Sequence, residues 1–102
     1  YPTIHQGDRV KVEQAPDLES KIMKEDIVIF PSPGPEQDRP YLKRVLYLPG
    51  EKVPWNGEVL GDHEWWVEGD NRIRSRDSRY FGPIHTIEAR VIEIYCPHEK
   101  EN

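Results

Sequence analysis

Tyr41-Leu42-Lys43-Arg44-Val45-Leu46-Tyr47-Leu48, closed by Pro49-Gly50, is the stretch that decides how this chain folds. Its aromatic, aliphatic and long side chains, without an internal Gly or Pro, read as a strand, and Pro-Gly ends it. Alternation puts Tyr41, Lys43, Val45 and Tyr47 on one face and Leu42, Arg44, Leu46 and Leu48 on the other. Working outward, Asp26 to Phe30 reads as a buried strand. Arg9-Val10-Lys11-Val12, after a Gly7-Asp8 turn, reads as an alternating one. Downstream, Asn56-Gly57 signals a hairpin of the type I′ kind. Trp65-Trp66-Val67 is a short aromatic strand, and Glu88 to Tyr95 is the last, stopped by Pro97. Pro16 to Lys24 has room for a turn or two of helix. Pro31 to Pro40 holds four prolines and reads as an exposed loop. The expected class is all-β: an antiparallel sheet with little helix.

Composition agrees. The chain has 102 residues, the size of a single domain, expected to span 1–102. Ten prolines and 7 glycines favour turns and short strands. The net charge is −5, which argues against a phosphate-binding surface and hence against nucleic acid as a partner. Cys96 is the single cysteine, so no intrachain disulfide forms, and it reads as a small packing residue. Apolar runs such as Ile27-Val28-Ile29-Phe30 are far shorter than the roughly 20 residues of a membrane-spanning helix. No secretory signal precedes Tyr1, and the chain opens inside strand-like sequence, so an upstream segment is expected.

Two features carry chemistry. Lys43 lies in the middle of an otherwise mostly apolar strand. A free lysine has a pKa of about 10.4, so roughly one molecule in two thousand is neutral at pH 7. Burial and a nearby cation lower that value, and about 4 kcal/mol of environment makes a usable general base. The alternative is an edge lysine whose ammonium reaches water. The second feature is Gly69-Asp70-Asn71-Arg72-Ile73-Arg74-Ser75-Arg76-Asp77-Ser78-Arg79, with four arginines, two aspartates and two serines after a strand. Read blandly, it is a solvated loop with weak surface ion pairs. Read sharply, Arg–carboxylate forks fix the loop, and a serine hydroxyl steadies an amine. Glu68 to Pro83 is also long for a loop without a task. His5, His63, His85 and His98 are scattered without metal-ligand spacing, so no metal and no cofactor is expected. Trp55, Trp65 and Trp66 read as core or hairpin packing.

Taken together, these segments resemble the type I signal peptidases. The family's P-T-[LI] and G-D-x-V elements match Pro2-Thr3-Ile4 and Gly7-Asp8-Arg9-Val10. Its G-D-I-V-x-F is similar to Glu25-Asp26-Ile27-Val28-Ile29-Phe30, with Glu25 in place of the glycine. The element [YF]-[IV]-K-R-V-x-x-L-P-G-[DE] matches Tyr41 through Glu51. G-D-N-R-x-x-S-x-D-S-R-x-[FY]-G-P matches Gly69 through Pro83. The elements keep the family's order, and the last two are long and specific.

The resemblance implies the coiled antiparallel sheet shared with self-cleaving repressor-type proteases. It also implies a membrane-associated serine endopeptidase that removes N-terminal signal peptides after small residues, using a Ser/Lys dyad. Lys43 is similar in position to the general base, and Ser75 to the serine that orients it. Arg44, Asp70, Asp77 and Arg79 match supporting salt-bridge positions. Ile4, Tyr41 and Leu42 fall where the family lines shallow pockets for small side chains. The partners implied are preprotein signal peptides, bound along a strand edge, and a membrane surface reached through an upstream anchor. The family's nucleophilic serine would lie two residues before Tyr1, so the chain as it stands is expected to be inactive.

Only residues 52–68 separate the third and fourth elements, so the second β-domain of many bacterial members is expected to be absent or reduced to one hairpin. That compactness resembles the mitochondrial inner-membrane peptidases and the smaller bacterial enzymes. Trp66-Val67-Glu68-Gly69-Asp70-Asn71 resembles the mitochondrial type, whereas Arg72 is more usual in bacterial and plastid members. The expected location is therefore the outer face of a bacterial plasma membrane or the mitochondrial inner membrane. Two other readings remain. One is a catalytically inactive relative that binds signal peptides or serves as a partner subunit, decided by the residue two positions before Tyr1. The other is a repressor-type self-cleaving protease, which lacks the Gly69–Pro83 element.

Overall fold

The computed structural model describes residues 9–31, 40–70 and 76–95. Five strands, β1 (Arg9–Glu13), β2 (Ile27–Phe30), β3 (Tyr41–Tyr47), β4 (Trp66–Glu68) and β5 (Ala89–Tyr95), form one sheet. Their order across it is β1-β5-β2-β3-β4, and every pairing is antiparallel. The fold is mainly β, as the alternating pattern implied. The single turn α1 (Leu18–Lys21) falls inside the 16–24 stretch where a turn of helix was expected. The Gly7-Asp8 turn, most of the Pro31–Pro40 loop, Cys96 and Pro97 lie outside the described residues.

The sheet buries side chains on both faces, in two clusters. The larger contains Leu18, Ile22, Val28, Phe30, Val45, Trp65, Val67, Ile84 and Ile87, with Tyr41, Leu48 and Phe81 packed on it. The smaller contains Val53, Leu60 and Trp66, covered by Leu46 and Tyr47. Trp65, Trp66 and Val67 alternate between the two, which is why three consecutive apolar residues are all buried there. Trp65 and Trp66 are core residues, whereas Trp55 is 64% exposed.

The expected faces of β3 hold only as far as Val45. Val45 pairs with Val67, but the next pair is Tyr47 with Trp66, so Leu46 is an extra residue in the ladder. This bulge turns Tyr47 toward the smaller cluster and Leu48 toward the larger, the reverse of simple alternation.

The Asn56-Gly57 connection is also not a type I′ turn. Such a turn needs positive φ at both central residues. Here Gly57 has φ +76°, and Glu25 is the sole positive-φ non-glycine among the described residues. The Val53 N–H donates to the Glu58 carbonyl (2.8 Å) and the Gly57 N–H to the Val53 carbonyl (2.7 Å), so the loop spans four residues. Pro54 before Trp55 and the Asn56 side chain, which accepts the Glu58 N–H (3.0 Å), favour this wider loop. In the 68–83 stretch, where no helix was expected, a second turn of helix appears, α2 (Ser78–Phe81).

Candidate active site

β3 carries the site because its alternation sends neighbouring residues to opposite faces. Lys43 lies across from Val28, which is fully buried. Its ammonium sits 5.5 Å from the centroid of the Tyr41 ring. That ring is held edge-on by Phe30 at 5.9 Å and tilted against Phe81 at 6.4 Å. Lys43 is half-buried, and burial pushes its pKa down from the ordinary lysine range. Asp77 opposes that shift and Arg79 adds to it.

Asp77 has no exposed surface, and Gly69 and α2 build its environment. Its Oδ2 accepts the Gly69 N–H at 3.0 Å and the Arg79 Nη2 at 2.7 Å. Its Oδ1 accepts the Arg79 backbone N–H at 3.1 Å and the Arg79 Nε at 3.0 Å. Asp77 is thus both the N-cap of α2 and the counter-ion of Arg79. The Asp77 hydrogen bonds keep the Arg79 guanidinium firmly charged. Ser78 is buried next to it, and its Oγ accepts the Val67 N–H at 2.9 Å, tying α2 to β4. The helix closes at Gly82, where φ is +84°.

On the opposite face of β3, Arg44 is buried and makes a fork with Asp70. Nε meets Oδ1 and Nη2 meets Oδ2, both at 3.0 Å. Its Nη1 donates to the Glu25 carbonyl at 2.9 Å. The two aspartates at the ends of the Asp70–Asp77 stretch are therefore each held by an arginine, one on either side of Lys43.

The residues singled out from sequence are distributed as follows. Lys43 lies near Asp77 and Arg79, while Arg44 is held by Asp70 on the opposite face of β3. Tyr41 packs beside Lys43, while Leu42 is 38% exposed on the other face. Ser75 and Ile4 lie outside the described residues, as do Arg72 and Arg74. Three contributors were not singled out. Glu68 is buried, with Oε2 accepting the Trp66 indole N–H at 2.9 Å and Oε1 3.7 Å from the Arg79 Nε. Its signal in the sequence was a charged residue at the end of an apolar strand. The Glu25 carbonyl and the Ser78 hydroxyl are structural acceptors, and no local pattern marks them. Among the described residues, no group of three or more His, Cys, Asp and Glu is placed to hold a metal ion. None of the helices there is long and apolar enough to cross a membrane.

The family model for signal peptidase, peptidase S26, matches residues 1–62. The chain belongs to that family. Three relatives agree with this placement. Mitochondrial inner membrane protease subunit 1 of Mus musculus is 36% identical over 91 residues, covering 81% of this chain and 54% of that protein. Mitochondrial ATP-independent inner membrane protease subunit 1a of Arabidopsis thaliana is 33% identical over 111 residues, covering 96% of this chain and 66% of that one. Signal peptidase I V of Bacillus subtilis (strain 168) is 28% identical over 122 residues, covering 81% and 71%. The chain spans about half the length of the mouse relative. No solved structure gives a significant match. The part of the chain that matches the family model, Lys43 included, thus contributes to a five-stranded antiparallel sheet.

Proposed function

We propose that this chain is the catalytic portion of a membrane-associated serine endopeptidase that removes N-terminal leader peptides from preproteins, cutting after small residues. Lys43 is the general base. Its neutral amine takes the proton of a serine hydroxyl, and the serine oxygen attacks the scissile carbonyl. The lysine then gives the proton to the leaving amine. The nucleophile is a serine two residues ahead of Tyr1 in the full-length protein, and its backbone N–H stabilises the oxyanion. Ser75 orients the amine. The two Arg–Asp forks hold the strand ends, and Tyr41, Leu42 and Ile4 line the subsites. The substrate is an extended segment paired along a strand edge. Membrane association through an upstream anchor accords with the names of the inner-membrane relatives.

The observation that carries this reading is the half-buried Lys43, whose pKa is pushed down by desolvation beside a fixed Asp77–Arg79 pair. The test uses the full-length protein with its upstream segment and a preprotein substrate. The Lys43→Ala variant should lose at least about a thousandfold in kcat/KM, as expected on losing the base of a coupled dyad. Undiminished cleavage by that variant removes Lys43 from the mechanism. A residue other than serine two positions before Tyr1, in a protein that binds leader peptides without cutting them, would favour the inactive-relative reading.

A further inference from the structure

A cleft of about 340 Å³ lies beside the larger core, and the mechanism above does not use it. Phe30, which ends β2, and Phe81, which ends α2, line it with Pro83 and Ile84. The two rings meet edge-on at 6.2 Å. His85 and Thr86, both exposed, bring polar atoms to its rim. The lining is thus mainly apolar with a polar rim, the composition of a binding pocket, and the size suits one or two large side chains.

The rim is held in one shape. Trp65 and Ile84 exchange both backbone hydrogen bonds, at 3.0 and 2.9 Å. Glu64 Oε2 lies 3.0 Å from the His85 Nε2, and Glu64 Oε1 accepts the Gly61 N–H at 2.7 Å. A ligand therefore meets a preformed surface, with little ordering left to do.

The cleft joins the candidate active site through Tyr41. The Tyr41 ring packs on Phe30 at 5.9 Å and on Phe81 at 6.4 Å, and the Lys43 amine sits 5.5 Å from the same ring. These separations put the Phe81 ring at most about 12 Å from the amine, within reach of four residues of an extended chain at about 3.3 Å each. A leader peptide carries an apolar run ahead of a short cleavage site of small residues. The fourth residue before the cut is the first that the small pockets do not constrain.

We infer that this cleft is a further subsite, which takes a large apolar side chain, such as Leu or Phe, from the fourth residue before the scissile bond of the leader peptide. The inference rests on the protease reading above. The apolar walls of Phe30, Phe81 and Ile84 supply the attraction, and a charged side chain there would lose its hydration without gaining a partner on those walls.

The experiment uses the full-length protein and synthetic leader peptides that differ only in the fourth residue before the cut: Leu, Phe, Ala or Asp. The expected kcat/KM for Leu or Phe exceeds that for Ala by about tenfold, with Asp lowest. Thr86→Trp places an indole over the cleft. It should bring the Leu-to-Ala ratio to within about twofold of one and leave cleavage of the Ala peptide within about twofold of wild type. His85→Trp, on the other exposed rim position, repeats the test if T86W does not fold. A wild-type ratio near one overturns the inference, and so does a tenfold ratio that both blocking variants leave unchanged. Failure of the protease reading is seen separately: a Lys43→Ala protein that cuts all four peptides undiminished removes the assigned base, while the ratio still reports on the cleft.

Discussion

At Glu25 the backbone has φ +77°, in the left-handed region that a side chain bearing Cβ disfavours by about 1–2 kcal/mol. Glycine occupies this position in the family pattern quoted above, and the geometry explains why. The residue is held there from both sides. Its N–H donates to the Val45 carbonyl at 2.8 Å, and its carbonyl accepts Arg44 Nη1 at 2.9 Å. The turn into β2 is therefore pinned to β3 next to Lys43, and the strain persists because that clamp outweighs it. Replacing Glu25 with glycine should relieve the strain and keep both backbone bonds. The expected outcome is a gain of roughly 0.5–1 kcal/mol in chemical denaturation, net of the entropy glycine adds to the unfolded chain. A loss of stability would mean that the Glu25 side chain contributes more than its backbone costs.

Among the elements, α2 is a single turn that no propensity argument would predict. A helix of this length is unstable alone, and its cap and packing hold it in place. Asp77 caps it, Ser78 Oγ accepts the Val67 N–H, and Phe81 packs on the larger core. β4 is shorter still, at 3 residues, and it feeds the site from its end: its last residue Glu68 meets Arg79, and the following Gly69 donates to Asp77. Asp77→Ala should therefore unhinge α2 from β4. It removes an N-cap and leaves Arg79 and the Gly69 N–H short of a buried acceptor. The expected cost is about 3 kcal/mol, read as a lowered midpoint in denaturant with an unchanged slope. A cost within about 0.5 kcal/mol, as for an ordinary surface position, would show that α2 does not depend on its cap.

For the molecule as a whole, Lys43 has a cost that pH reveals. The unfolded lysine titrates near 10.5, and the folded one lower. Between those two values the unfolded state binds more protons, so stability rises with pH across that window. Below the folded pKa the chain bears the full cost of holding an ammonium against the core. Lys43→Met should therefore raise the melting temperature at neutral pH, and the gain should shrink as pH climbs through the folded pKa toward 10.5. A gain that is constant with pH would trace to packing instead of charge. The Tyr41–Phe81 aromatic group and Val28 supply the apolar surroundings. Those residues come from β2, β3 and α2, so the cost is a property of the assembled sheet.

The one-dimensional pattern was enough to locate all five strands to within a residue and to mark both long motifs, because strand periodicity and turn residues are local properties. It also singled out Lys43 as a charged residue in an apolar strand and the Gly69–Arg79 stretch as a dense Arg–Asp segment, while the individual supporting positions Arg44, Asp70, Asp77 and Arg79 followed from the family resemblance. What only the tertiary structure decided is which groups meet. The bulge at Leu46 arises from pairing with β4, and it exchanged the faces of Tyr47 and Leu48. The four-residue hairpin at Gly57 was set by bonds across the loop, and α2 by its tie to Val67 and its packing on a core that comes from distant parts of the chain. Glu68 read as the first residue of the polar 68–83 loop, whereas it ends β4 with Arg79 beside it. Burial and proximity depend on distant parts of the chain coming together, and a residue's immediate neighbours in sequence carry no record of that.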